Sequence, residues 1–276
     1  MTLGKNLGFL PAQIFSAMKR IDLIQVVHNR KIGDSCEYIK PNVIEDCVLY
    51  ADGEPVGFYL TKMPEKMCKL ADLANAEFRS KNVPKSKMNR GTQKQANERG
   101  QEWVSQYSTL LGSRAPKPHM RMPYPAIQSV HEVKTAQTFI KAMLLLAKES
   151  EKLIKEIIPK QYEQQLELFK SVNEKWKFGN LFTSSISNYN ISAPFHKDTA
   201  NIVGAVNVII CKKFNSKGGD LHIPDYDATI GQQDNSILVY PAWRNIHGVT
   251  PIIPTHEGGY RNSLIFYPLK AFVGLD

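Results

Sequence analysis

Three side chains in the C-terminal half have the types and the spacing to hold a metal ion. His196 and Asp198 stand one residue apart in Phe195-His196-Lys197-Asp198, and His247 follows in Asn245-Ile246-His247-Gly248. Two imidazoles and one carboxylate are the donor set of the facial triad that binds non-haem Fe(II) and leaves coordination positions open. In an extended strand residues i and i+2 point to the same face, which puts His196 and Asp198 on one side and Lys197 on the other. The third donor must come from another strand, and Gly248 lets the backbone come close beside His247. A lone His-x-Asp arises often and usually does nothing. The later His and a later Arg, in strands of suitable order, give it meaning.

That Arg is Arg261, in Tyr260-Arg261-Asn262-Ser263. Arg261 and Ser263 share one strand face. A guanidinium binds a carboxylate bidentately and a neighbouring hydroxyl adds a further hydrogen bond, so the pair suits the distal carboxylate of 2-oxoglutarate. A structural salt bridge is the alternative. His28, His119, His131, His222 and His256 lack such a constellation and read as packed or surface side chains.

The elements that must position these groups follow from patterning. After Gly179 the chain turns to short strand-like runs: 182–189, 202–211, 220–223, 236–240 and 260–267. They are separated by turns such as Ser216-Lys217-Gly218-Gly219 and Glu257-Gly258-Gly259. Regularly spaced short strands point to an antiparallel sandwich or jelly roll. Upstream, Phe139, Ile140, Met143, Leu146, Leu153 and Ile154 predict a long helix over 132–158, stopped at Pro159, and a second helix is expected over 161–176. Asp52-Gly53 between two apolar runs predicts a β-hairpin that extends a larger sheet. Ile14, Met18, Ile21 and Ile24 predict a short amphipathic helix within 12–27.

Bulk composition bounds the function classes. The 276 residues can bury a sizeable core, and 42% hydrophobic with 22% charged residues is ordinary for a globular protein. No membrane-spanning run and no signal-peptide order is expected, so the sequence reads as intracellular, in cytoplasm or nucleus. Nothing calls for an obligate protein partner. The cysteines, Cys36, Cys47, Cys68 and Cys211, form no Cys-x-x-Cys pair and read as reduced thiols. The net charge of +9 suits a polyanionic partner. Its densest basic stretch is 79–121, where Lys85, Lys87, Arg90, Lys94 and Arg99 are candidate phosphate contacts; a solvated surface is the plainer alternative.

The motifs taken together carry a family resemblance. His196-Lys197-Asp198, Gly218-Gly219-Asp220-Leu221, His247-Gly248-Val249 and Arg261-Asn262-Ser263 resemble the double-stranded β-helix core of Fe(II)/2-oxoglutarate dioxygenases. The runs 206–211, 217–226 and 259–263 are similar to the TET/JBP group, which oxidises the 5-methyl group of pyrimidines in DNA. The resemblance implies an α+β fold with a jelly-roll core at 179–276, supported by helices and a hairpin within 1–178, the whole forming one dioxygenase domain. It implies His196, Asp198 and His247 as iron ligands and Arg261, assisted by Ser263, as the 2-oxoglutarate clamp. Tyr189, Asn190 and Asn207 are further candidate contacts to co-substrate or substrate. The expected cofactor and co-substrates are Fe(II), 2-oxoglutarate and O2, with DNA as partner and a flipped or single-stranded base as target. Tyr226, Trp243, Tyr189 and Phe195 are candidate stacking surfaces for that base. The alternatives are the same chemistry on a protein side chain or small molecule, and an inactive metal- or nucleic-acid-binding jelly roll.

Overall fold

The computed structural model describes residues 18–88 and 105–275. The first strands are β1 (Lys19–Asp22), β2 (Cys47–Ala51) and β3 (Glu54–Leu60). Helix α1 (Glu65–Arg79) leads to β4 (Ser86–Met88), β5 (Gln106–Arg114) and β6 (Ala126–Ile127), then to α2 (Gln137–Ile157) and α3 (Pro159–Leu168). The C-terminal half holds β7 (Ser184–Tyr189), β8 (Ala193–His196), β9 (Asn207–Phe214), β10 (Ser216–Gly218), β11 (Leu221–Ile223) and β12 (Ala228–Ile230). It ends with β13 (Ile237–Tyr240), β14 (His247–Val249), β15 (Ile252–Pro254) and β16 (Tyr260–Tyr267).

Two sheets face each other. The major sheet runs β1-β2-β3-β13-β9-β16-β7-β5-β4, with β6 joined to β5, and the minor sheet runs β12-β11-β14-β8. Strand alternation sets what each face of the major sheet does. In β9 and β16, Val208, Ile210, Leu264 and Phe266 enter a core shared with α1 and α2, including Phe78, Phe139, Met143 and Leu146. The intervening residues Asn207, Ile209, Arg261, Ser263, Ile265 and Tyr267 turn the other way, into a cavity between the sheets. A second core of Leu49, Tyr59, Leu221, Ile223, Ile230 and Leu238 closes the gap between the sheets beside that cavity. This is the jelly-roll arrangement expected from the sequence, one face of the large sheet covered by helices and the other facing its partner sheet.

The Asp52-Gly53 hairpin forms between β2 and β3, both turn residues having positive φ, and β3 continues into the sheet against β13. Pro159 ends α2 and opens α3 at a position where the missing N–H costs nothing. Three expectations are corrected. The helix expected within 12–27 is not formed in its described part, where β1 pairs in parallel with β2. Ile24 of the supposed apolar stripe is exposed, so the free edge of β2 offers more than helical spacing does. The helix expected over 161–176 ends at Leu168 and continues as two 3-10 turns, Phe169–Ser171 and Glu174–Trp176. Within the stretch 79–121, β5 is a central strand between β7 and β4 rather than solvated surface.

Candidate active site

His196 ends β8 and His247 opens β14, and the two are register partners across an antiparallel pair. Their ring centroids lie 4.4 Å apart. Asp198 stands beyond the end of β8, so strand alternation does not place it. The chain turns at Lys197, the Asp198 N–H donates to Ala242 O at 3.2 Å, and the carboxylate returns to 3.6 Å from His196 Nε2. One ligand atom from each of the three residues lies within 4.8 Å of the others.

The surroundings prepare these atoms for a cation. His196 Nδ1 is 2.8 Å from Pro194 O and His247 Nδ1 is 3.1 Å from Asn245 O. A carbonyl only accepts, so each Nδ1 carries the hydrogen and each Nε2 presents its lone pair. Burial, then the neighbouring His196, holds the His247 imidazole well below its ordinary pKa, in the neutral form that a metal requires. Asp198 Oδ2 accepts from Asn207 Nδ2 at 3.2 Å and from Asn201 Nδ2 at 3.5 Å, and Asn201 Nδ2 also donates to Asn207 Oδ1 at 2.9 Å. Asn207 therefore orients the Asp198 carboxylate. Two neutral imidazoles and one oriented carboxylate fit Fe(II) in a facial site.

Arg261 faces the same cavity from β16. It is 3% exposed, its Nη1 donates to Ser263 Oγ at 3.1 Å, and its Nε is buried without a partner. No carboxylate of the described residues comes within ion-pair distance of it, which removes the structural salt bridge as an explanation. The Arg261 backbone N–H donates to Asn190 Oδ1 at 2.9 Å, and Gly219 packs against its side chain. A Cβ at Gly219 would stand 2.9 Å from Arg261 Cδ, and Gly219 has φ of +72°. The Gly218-Gly219-Asp220 turn thus seats the arginine, which is why glycine is needed there.

The cavity measures about 390 Å³, within the range of small-molecule sites. His196, Asp198, His247, Arg261, Ser263 and Asn207 all line it. Asn190 and Tyr189 do not. Asn190, with φ of 56°, spends its amide on Ser105 O and the Arg261 N–H. Tyr189 pairs with Asn262 across the sheet and stacks on Tyr260 at 5.3 Å on the helix side. Phe195, Tyr226 and Trp243 also lie outside the cavity wall; its aromatic members are Tyr240 and Tyr267. Asn188, opposite Ser263, lines the wall in place of Tyr189, and Asn201 and Gln232 line it too. Register parity between β7 and β16 identifies Asn188 over Tyr189; nothing in the sequence pattern points to Asn201 or Gln232.

Of the basic candidates, Lys85 is half-buried. Its Nζ donates to Phe78 O at 2.6 Å and to Ser80 O, capping the C-terminus of α1, and burial lowers its pKa. Lys87 is exposed on β4. Arg90, Lys94 and Arg99 lie outside the described residues. Among the described residues no helix is long and apolar enough to cross a membrane.

Comparison with known proteins agrees with this geometry. No curated protein sequence matches the chain. The fold is similar to the solved structure of NgTET1 in complex with 5mC DNA, at 13% identity over 95% of this chain and 88% of that one, with a TM-score of 0.61. A 2OG-Fe(II) oxygenase of Burkholderia pseudomallei aligns at 12% identity over 76% and 84% of the two chains, with a TM-score of 0.43. A full-length Neurospora crassa protein solved in complex with alpha-KG aligns at 13% identity over 78% and 75%, with a TM-score of 0.40. The family Tet_JBP, the oxygenase domain of the 2OGFeDO superfamily, matches residues 114–270, more than half of the chain. The chain belongs to this family, as an oxygenase that uses Fe(II) and 2-oxoglutarate.

Proposed function

We propose that the chain hydroxylates the 5-methyl group of a pyrimidine, 5-methylcytosine or thymine, in DNA, with residues 1–276 acting as one catalytic unit. His196, Asp198 and His247 hold Fe(II), and Arg261 with Ser263 holds the distal carboxylate of 2-oxoglutarate. The observation that carries the reading is the sharing of one 390 Å³ cavity by a two-histidine, one-carboxylate cluster and a buried arginine with an unpaired Nε. Bound together, Fe(II) and 2-oxoglutarate supply an O2-dependent oxidation that places a hydroxyl on a substrate C–H bond and releases succinate and CO2.

The protein's part is to orient and to exclude water. Carbonyl acceptors fix both imidazole tautomers, and Asn207 and Asn201 fix Asp198. Apolar residues, among them Ile186, Ile191, Leu221 and Val249, keep the wall dry beside these polar groups. A base inside a duplex cannot reach such a cavity, so a single base enters extruded or from a single strand.

Support for DNA comes from three directions: the family, the net charge of +9, and the cavity mouth. At that mouth Lys197 is exposed, and so is Lys270, whose N–H donates to Ala200 O at 3.0 Å beside Leu269. Among the described residues neither lysine is engaged in an ion pair, leaving both able to meet phosphates. The test is succinate release with added Fe(II) and 2-oxoglutarate, compared across methylated DNA, unmethylated DNA and a peptide mixture. Stimulation by methylated or thymine-containing DNA, lost in His196→Ala and Asp198→Ala, is the expected result. Stimulation by peptides alone overturns the substrate, and turnover unchanged in both variants overturns the site.

A further inference from the structure

Gln232 is 2% exposed, lines the cavity, and has both its Nε2 and its Oε1 buried without a partner. A buried carboxamide with neither end satisfied loses free energy at both ends, so its place in a fold calls for a ligand. Its backbone, by contrast, is fully used. The Gln232 N–H donates to Asp220 Oδ1 at 2.8 Å, and Gln232 O accepts from Lys213 Nζ at 2.8 Å. Lys213 Nζ also donates to Gly218 O at 2.6 Å and lies 3.8 Å from Asp220 Oδ1. These bonds tie Gln232 to the Gly218–Asp220 turn, the same turn whose Gly219 packs on the Arg261 side chain. The Gln232 backbone is therefore held beside the turn that seats Arg261, and its side chain lines the same cavity.

The chemistry beside that turn selects an acid. Asp220 is occupied by Lys213 and by the Gln232 N–H, while Arg261 lines the cavity with its Nε unpaired. We propose that Gln232 is a co-substrate-binding residue that reads the distal carboxylate of the 2-oxo diacid together with Arg261. Its NH2 donates to the carboxylate, and its Oε1 is the acceptor available to an N–H of that arginine. Gln232 thereby favours a diacid over a neutral 2-oxo acid of equal length. The inference rests on the reading of this cavity as the 2-oxoglutarate site.

Isothermal titration of the Mn(II)-loaded full chain separates the two. The probes are 2-oxoglutarate and 2-oxopentanoate, which shares the chelating end and lacks the distal carboxylate. Gln232→Leu is expected to weaken 2-oxoglutarate binding roughly tenfold or more, the scale of one hydrogen bond to a charged group. Gln232→Glu, which sets a carboxylate against a carboxylate, is expected to weaken it further. Binding of Mn(II) and of 2-oxopentanoate is expected to hold in both variants. Unchanged 2-oxoglutarate affinity in Gln232→Leu overturns the proposal, as does an equal loss for both acids, which marks a merely structural role. A wild-type chain that binds Mn(II) but not 2-oxoglutarate overturns the co-substrate reading itself and the proposal with it.

Discussion

Asn207→Leu tests whether the surroundings of the triad act on the metal. Asn207 is 4% exposed and supplies the shorter of two amide contacts to Asp198 Oδ2, 3.2 Å against 3.5 Å from Asn201. Leucine keeps much of the volume and the β9 backbone while deleting the donor. It also removes Oδ1, the 2.9 Å acceptor that holds the Asn201 amide. A hydrogen bond to a charged group is worth about 1.5–3 kcal/mol, and loss of such support around a ligand costs roughly 10–100-fold in metal affinity. Calorimetric titration with Mn(II), a redox-silent stand-in for Fe(II), is therefore expected to show a dissociation constant raised by about 10–100-fold. Asn201→Ala is expected to do less, since its own contact with the carboxylate is the longer one. Thermal melting of the metal-free chains separates a site effect from unfolding. Wild-type Mn(II) affinity in a folded Asn207→Leu, or a larger effect from Asn201→Ala, refutes the reasoning.

Other perturbations probe different parts of the molecule. Gly219→Ala places a Cβ 2.9 Å from Arg261 Cδ on a backbone with φ of +72°, whereas Gly258→Ala meets the same strain, φ +74°, with nothing within 4 Å. Both are expected to lose about 1–2 kcal/mol in chemical denaturation, but only Gly219→Ala to lose 2-oxoglutarate affinity. Glu151→Ala removes the 4% exposed acceptor of the Asn180 N–H, the Asn180 Nδ2 and the Leu181 N–H. It is expected to cost about 1–3 kcal/mol in the same assay, because the buried Leu181 N–H loses its acceptor while the donors of exposed Asn180 can turn to water. Lys197→Glu with Lys270→Glu is expected to weaken DNA binding and flatten its salt dependence, read by fluorescence anisotropy at several salt concentrations, with no loss of Mn(II) affinity, since the new carboxylate beside Asp198 attracts the cation.

Period two makes most of the site readable. Arg261 and Ser263 on one face, and a third donor from another strand, follow from strands alone; the register that pairs His247 with His196 is set by the fold. For Asp198 the sequence identifies the partners but not the placement, since a turn at Lys197 and the Ala242 carbonyl position it, and such turns leave no periodic trace. Among Tyr189, Asn190 and Asn207 the sequence does not fix which faces inward; the structure turns Asn207 into the cavity, where its amide meets Asp198 and Asn201. Gln232 stays hidden because it lies in the connection after β12, held by the side chains of Asp220 and Lys213 from other parts of the fold. Helix α1 escapes the pattern for another reason. Its buried stripe has large apolar residues only near its ends, Met67 and Phe78, and between them Cys68, Ala71, Ala74 and Asn75 carry little hydrophobic contrast, while Asn75 meets Asn262 and Tyr260 on the sheet. Basic residues around 79–121 can be read only by charge, and charge does not reveal that Lys85 turns inward onto carbonyls.

The central claim joins the His196, Asp198, His247 and Arg261 cavity to oxidation of a methylated base. Mass spectrometry of nucleosides from 5-methylcytosine DNA incubated with the chain, Fe(II), 2-oxoglutarate and O2 tests it most directly. The account predicts a 5-hydroxymethyl nucleoside, formed with succinate and absent in Asp198→Ala. Succinate formed in that reaction with every nucleoside, thymidine included, unchanged in mass would contradict it.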